Sequence, residues 1–213
     1  MRYPYILFDL DGTLIDTNEL ILQSFEHTLE HYFPGRYTRK DVLPYMGEPL
    51  VKQLGRWAEP ERVPEMAGTY RNYNVEQHDR LVAIFPDVQE VLEELKNLGC
   101  RMAVVTSKMR LTAEMGLRRF GLERYMGTII TIEDTEKHKP DPEPLLLAMK
   151  RLGADPVKTL MVGDSPYDIL GGQSAGTATC GVAWSLRGRE GLTRYKPDYL
   201  IEDMKQLVEI VRG

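Results

Sequence analysis

Five short apolar runs punctuate this chain: Tyr5-Ile6-Leu7-Phe8, Met102-Ala103-Val104-Val105, Gly127-Thr128-Ile129-Ile130-Thr131, Thr159-Leu160-Met161-Val162 and Cys180-Gly181-Val182-Ala183-Trp184. Runs this short, apolar at consecutive positions, predict strands buried on both faces. Between them lie stretches of helical character, Val88 to Leu98, Leu111 to Phe120, Pro142 to Leu152 and Tyr167 to Ala175. Strands alternating with helices predict an α/β fold, a parallel sheet covered on both faces. The segment after the first run differs. Leu20, Ile21, Phe25 and Leu29 recur at helical spacing, Thr17 or Asn18 can cap them, and Pro34-Gly35 stops them. Arg39 to Asn74 continues as helices broken at Pro44, Gly47-Glu48-Pro49, Pro60 and Pro64, without a convincing strand. Residues 16–82 therefore read as an all-helical insertion into a core built from residues 1–15 and 83–213.

Composition narrows the classes. A chain of 213 residues can bury one substantial core plus a small inserted domain. Its net charge of −5 argues against nucleic acid as a partner, because binding a phosphate backbone needs a basic surface. An anionic substrate must then be drawn by a local focus of cations and N–H groups. Cys100 and Cys180 have no metal-ligand spacing and read as small buried residues in a reducing compartment. The N-terminus runs directly into the first strand, without a signal peptide, and no apolar stretch reaches membrane-spanning length. The expectation is a cytoplasmic protein with no membrane partner, a monomer or homodimer.

The chemistry sits where the apolar runs end. Asp9-Leu10-Asp11-Gly12-Thr13 follows the first run, and two carboxylates so close resist joint ionisation. A bound cation or a division of labour, one nucleophile and one proton carrier, resolves the conflict. A calcium loop would need glycine at its sixth position and glutamate at its twelfth, which here are Leu14 and Leu20. A hairpin would need a strand straight after Gly12, where a helical pattern begins instead. Thr106-Ser107-Lys108 follows the second run and suits either a phosphate-sized anion or a helix cap. Lys139, between Lys137-His138 and Pro140-Asp141-Pro142, lies on a stiffened segment from which a cation can offset phosphoryl charge. Lys137 is the fallback. Asp164 and Asp168 stand one helical turn apart after Gly163 and can supply oxygens to Mg²⁺. Gly171-Gly172-Gln173-Ser174-Ala175-Gly176 ends a helix rather than opening one, so it is not a dinucleotide fingerprint, and no Walker A sequence is present.

With these motifs in order, the chain resembles the haloacid dehalogenase superfamily. Asp9-Leu10-Asp11-Gly12-Thr13, Thr106-Ser107, Lys139 and Gly163-Asp164 with Asp168 match its four motifs. The resemblance implies a Rossmann-like core with an inserted helical cap of the C1 type. Asp11 points to phosphoryl transfer, since the dehalogenase branch lacks an acid there. Ile15 to Leu20, His27 to Tyr32, Tyr70 to Asn74, Ala183 to Arg189 and Lys196 to Tyr199 are similar to the phosphoglycolate phosphatase-like group, above all its bacterial inorganic pyrophosphatases. It implies Asp9 as nucleophile, Asp11 as acid and base, and Lys139 and Thr106 with Ser107 on the transferring group. Mg²⁺ would be held by Asp9, the Asp11 carbonyl, Asp164 and Asp168, with Gly47 and Glu48 as cap residues near the substrate. Pyrophosphate is the expected substrate. Phosphoglycolate or another small phosphate monoester is the alternative, then a phosphomutase, and last an interaction protein without activity.

Overall fold

The computed structural model describes residues 1–184 and 186–213, which divide into two compact units, Met1–Asp16 with Ile84–Gly213, and Thr17–Ala83. The first unit holds strands β1 (Tyr5–Phe8), β4 (Arg101–Val105), β5 (Met126–Ile130), β6 (Thr159–Gly163), β7 (Ala178–Val182) and β8 (Tyr199–Ile201). They form one six-stranded sheet in the order β5-β4-β1-β6-β7-β8, and every pairing in it is parallel. Two-residue strands β2 (Ile15–Asp16) and β3 (Ala83–Ile84) pair separately. Helices α5 (Val88–Asn97), α6 (Arg110–Arg119), α7 (Glu143–Leu152), α8 (Pro166–Ala175), α9 (Gly188–Thr193) and α10 (Gln206–Arg212) complete the unit.

Burial explains the sheet. Ile6, Leu7 and Phe8 of the central strand are fully buried, as are Ala103, Val104 and Val105 of β4 and Leu160, Met161 and Val162 of β6. Leu7, Ala103, Val105, Ile130 and Met161 pack with Leu145, Ala148, Met149 and Leu152 of α7 in one core. The helical unit comprises α1 (Asn18–Tyr32), α2 (Arg39–Val42), α3 (Leu50–Leu54) and α4 (Val63–Leu81), and closes its own core around Phe25, Leu29, Leu54 and Met66.

Besides the two-residue β2 and β3, which the sequence expectation lacks, two strands of the large sheet differ from it by more than one residue. β7 starts at Ala178, two residues before the expected run, and ends at Val182, short of Trp184. Thr179 looks polar in sequence, yet it is fully buried because Asp198 Oδ2 accepts from both its N–H and its hydroxyl, at 2.8 and 2.9 Å. β8 has no counterpart in the sequence expectation. Its three residues are too few for a periodic signal, and pairing with β7 makes them a strand.

Candidate active site

β1 lies between β4 and β6, where the direction of strand succession reverses, and ligands of such sheets bind beyond the carboxyl ends there. Register sets the site. Phe8 is level with Val104 on one side and Val162 on the other, and the Asp9 N–H donates to the Val162 carbonyl at 2.9 Å. Asp9, Thr106 and Asp164 therefore leave three adjacent strands at one edge.

Lys139 reaches this edge from the loop before α7. Its buried ammonium donates to Asp9 Oδ1 at 2.6 Å, to Asp168 Oδ1 at 2.6 Å and to the Val105 carbonyl at 2.8 Å. Those three acceptors satisfy the three N–H bonds of an ammonium. Asp168 Oδ2 takes two more hydrogen bonds, from the Ser165 N–H at 3.0 Å and the Ser165 hydroxyl at 2.6 Å. Lys137, the fallback, is exposed and pairs with Asp141 at 3.6 Å.

Asp9, Asp164 and Asp168 each present an oxygen within 4.8 Å of the others. Burial, opposed by Lys139 and reinforced by Asp168, pushes the Asp9 carboxyl up to about 7. Burial and the neighbouring Asp9 and Asp168 push Asp164 well above the ordinary carboxylate range. Burial alone would lower Lys139, but Asp168 and Asp9 outweigh it and raise its affinity for the proton. Ionising all three carboxylates against one ammonium would leave negative charge uncompensated, and a hard divalent cation fits that all-oxygen donor set.

Glycine makes this crowding possible. A Cβ on Gly163 would lie 2.3 Å from Asp168 Cβ, closer than any real contact. Gly12 lies against the Asp164 carboxylate in the same way.

The Asp11 carboxylate stands outside the three-acid group. Lys108 Nζ donates to both of its oxygens, each at 3.0 Å, from a side chain only 9% exposed. Thr106 is buried and its hydroxyl oxygen accepts the Lys108 N–H at 3.2 Å, while Ser107 beside it is half-buried. Gly47 and Glu48 belong to the helical unit. There the buried Glu48 carboxylate accepts from Arg56 at 2.9 and 2.8 Å, with Lys52 at 3.0 Å. Sequence reasoning assigns no role to Lys108 or Ser165. A lysine three residues past a strand end ordinarily reads as solvated, whereas a serine three residues before Asp168 carries a visible capping signal.

The family model for haloacid dehalogenase-like hydrolases matches residues 6–182. A protein named pyrophosphatase PpaX from Bacillus velezensis is 48% identical over 209 residues, covering 98% of this chain and 96% of that protein. A second of the same name, from Anoxybacillus flavithermus, is 48% identical over 211 residues, covering 99% and 98%. The crystal structure of a predicted phosphoglycolate phosphatase from Haemophilus somnus superposes with a TM-score of 0.87 at 26% identity, covering 99% of this chain and 98% of that one. Among the described residues, no helix is long and apolar enough to cross a membrane. The chain belongs to the haloacid dehalogenase-like hydrolase family and is an enzyme of that α/β fold.

Proposed function

We propose that this hydrolase is a Mg²⁺-dependent phosphohydrolase that splits inorganic pyrophosphate through a phosphorylated Asp9. The observation that carries the reading is the gathering of Asp9, Asp164 and Asp168 around the Lys139 ammonium at the sheet's switch point, with Asp11 beside it. Asp9, Asp164 and Asp168, with the Asp11 backbone carbonyl, would hold Mg²⁺. When bound, the ion neutralises charge so that an anionic carboxylate can approach an anionic phosphoryl group.

The chain's own residues divide the remaining work. A carboxylate oxygen of Asp9 forms a bond to one phosphorus while the bridging P–O bond breaks. Asp11 gives its proton to the departing phosphate. It then takes a proton from the water whose oxygen attacks the phosphorus on Asp9, and the Asp9–phosphoryl bond breaks to release the second phosphate. Lys139 offsets part of the burial that opposes the charge on Asp9 and holds its direction. Thr106, Ser107 and the N–H groups after β4 are the candidates for binding the transferring oxygens.

Pyrophosphate is favoured because the relatives named for that activity match nearly the whole chain at close to half identity. The helical unit is read as the family's cap domain, with Gly47 and Glu48 selecting among small anions. Phosphate release with Mg²⁺ from pyrophosphate and from 2-phosphoglycolate, side by side, tests the assignment. Strong preference for pyrophosphate, lost in Asp9→Asn, is expected. Preference for the glycolate ester would transfer the protein to the monoester phosphatases.

A further inference from the structure

Lys108 has no part in the mechanism as stated, yet it is nearly buried, and its single ammonium takes both oxygens of Asp11 at 3.0 Å. Its backbone is braced from two strands. The Lys108 N–H donates to Thr106 Oγ1 after β4, and its carbonyl accepts the Ile132 N–H after β5, each at 3.2 Å. The turn bearing Ile132 is itself fixed. Asp134 accepts from the Thr131 N–H at 2.8 Å and from Arg110, the first residue of α6, at 2.5 Å. A long, flexible side chain is thus delivered from a rigid base to the one group that must exchange a proton.

We propose that Lys108 is a positioning residue that fixes the direction of the Asp11 carboxylate for proton transfer. The proposal rests on Asp11 being the acid and base. Proton transfer needs heavy atoms within roughly 2.6–3.2 Å, and a displacement of about 1 Å costs on the order of 100-fold. The Asp11 side chain, 20% exposed beside a glycine, has rotational freedom that Lys108 removes.

The test compares 4-nitrophenyl phosphate, whose leaving group needs little protonation, with phenyl phosphate, whose leaving group needs more. kcat and KM are measured with Mg²⁺ for the wild type, Lys108→Met, Lys108→Arg and Asp11→Asn. Lys108→Met is expected to lose roughly 10- to 100-fold in kcat/KM, which reports transfer to Asp9, on phenyl phosphate and far less on the nitro ester. Meanwhile kcat falls on both, because Asp11 also serves the shared hydrolysis of phosphorylated Asp9. Lys108→Arg, which keeps the charge and offers a fork that fits a carboxylate, is expected to recover most of the loss. Equal losses in kcat/KM of Lys108→Met on both esters, or a raised KM with kcat intact, would overturn the proposal while kcat/KM of Asp11→Asn still discriminates between them. If Asp11→Asn itself fails to discriminate, the acid–base reading of Asp11 falls and this one with it. Should Lys108→Met unfold, Lys108→Gln takes its place under the same criteria.

Discussion

Gly12 and Asp164 occupy one space. A Cβ added to Gly12 would lie 2.6 Å from Asp164 Oδ2 and 2.8 Å from its Cγ, and Gly12 adopts φ +81. The glycine of the first motif is thus a steric condition for the acid of the fourth. Gly99, at φ +88 with nothing within 4 Å of where a Cβ would stand, isolates the backbone cost alone. Gly12→Ala and Gly99→Ala are each expected to lose about 1–2 kcal/mol from the left-handed backbone. Only Gly12→Ala should also displace Asp164, with activity falling on the order of 100-fold. Denaturant unfolding and turnover, measured on both variants, check this.

Lys139 is the buried counter-ion of Asp9 and Asp168, with all three side chains less than a tenth exposed. Removing one member of a buried ion cluster strands the others. Lys139→Met is therefore expected to destabilise the metal-free protein by about 3–5 kcal/mol, read from urea unfolding with a chelator present.

Asp164 behaves oppositely. Its carboxyl is pushed up by burial and by Asp9 and Asp168, so its charge is unwelcome in the metal-free fold. Asp164→Asn is expected to be at least as stable as the wild type without Mg²⁺. It should also forfeit the stabilisation expected of Mg²⁺ in the wild type, about 2.7 kcal/mol at 100 times Kd. Thermal unfolding with and without Mg²⁺ separates the two effects.

Asp134 sets a dependence on acid away from the chemistry. Burial opposes its charge, but the Thr131 N–H and hydroxyl, then Arg110 and Arg151, hold its carboxyl below the usual range. Its stabilisation is complete above the unfolded carboxyl's pKa, about 3.9, and is lost as pH falls through the lower folded value. Asp134→Asn is expected to lose about 1–3 kcal/mol at pH 7. The difference from the wild type should vanish in strong acid. Urea unfolding as a function of pH measures it.

The four chemistry-bearing segments are legible in sequence because three of them directly follow an apolar strand, so the fold needs little long-range information to bring them to one edge. Asp9, Thr106 and Asp164 come from neighbouring strands. Lys139 is legible through its flanking prolines, although no local pattern shows that its ammonium bridges Asp9 and Asp168. The role of Lys108 is not legible, because its salt bridge spans 97 positions and depends on how β4 sits beside β1. β8 and the early start of β7 escape for a related reason. Thr179 becomes a strand residue only once Asp198 arrives from the far side to satisfy it.

The central claim is that Asp9 carries the phosphoryl group. Acid-quenching the enzyme during turnover of radiolabelled pyrophosphate, followed by peptide mapping, tests it most directly, with Asp11→Asn included to slow breakdown of the intermediate. Label is expected on the peptide containing Asp9, enriched in Asp11→Asn and absent from Asp9→Asn. Continued turnover by the wild type with no label on that peptide, in either the wild type or Asp11→Asn, would contradict the account.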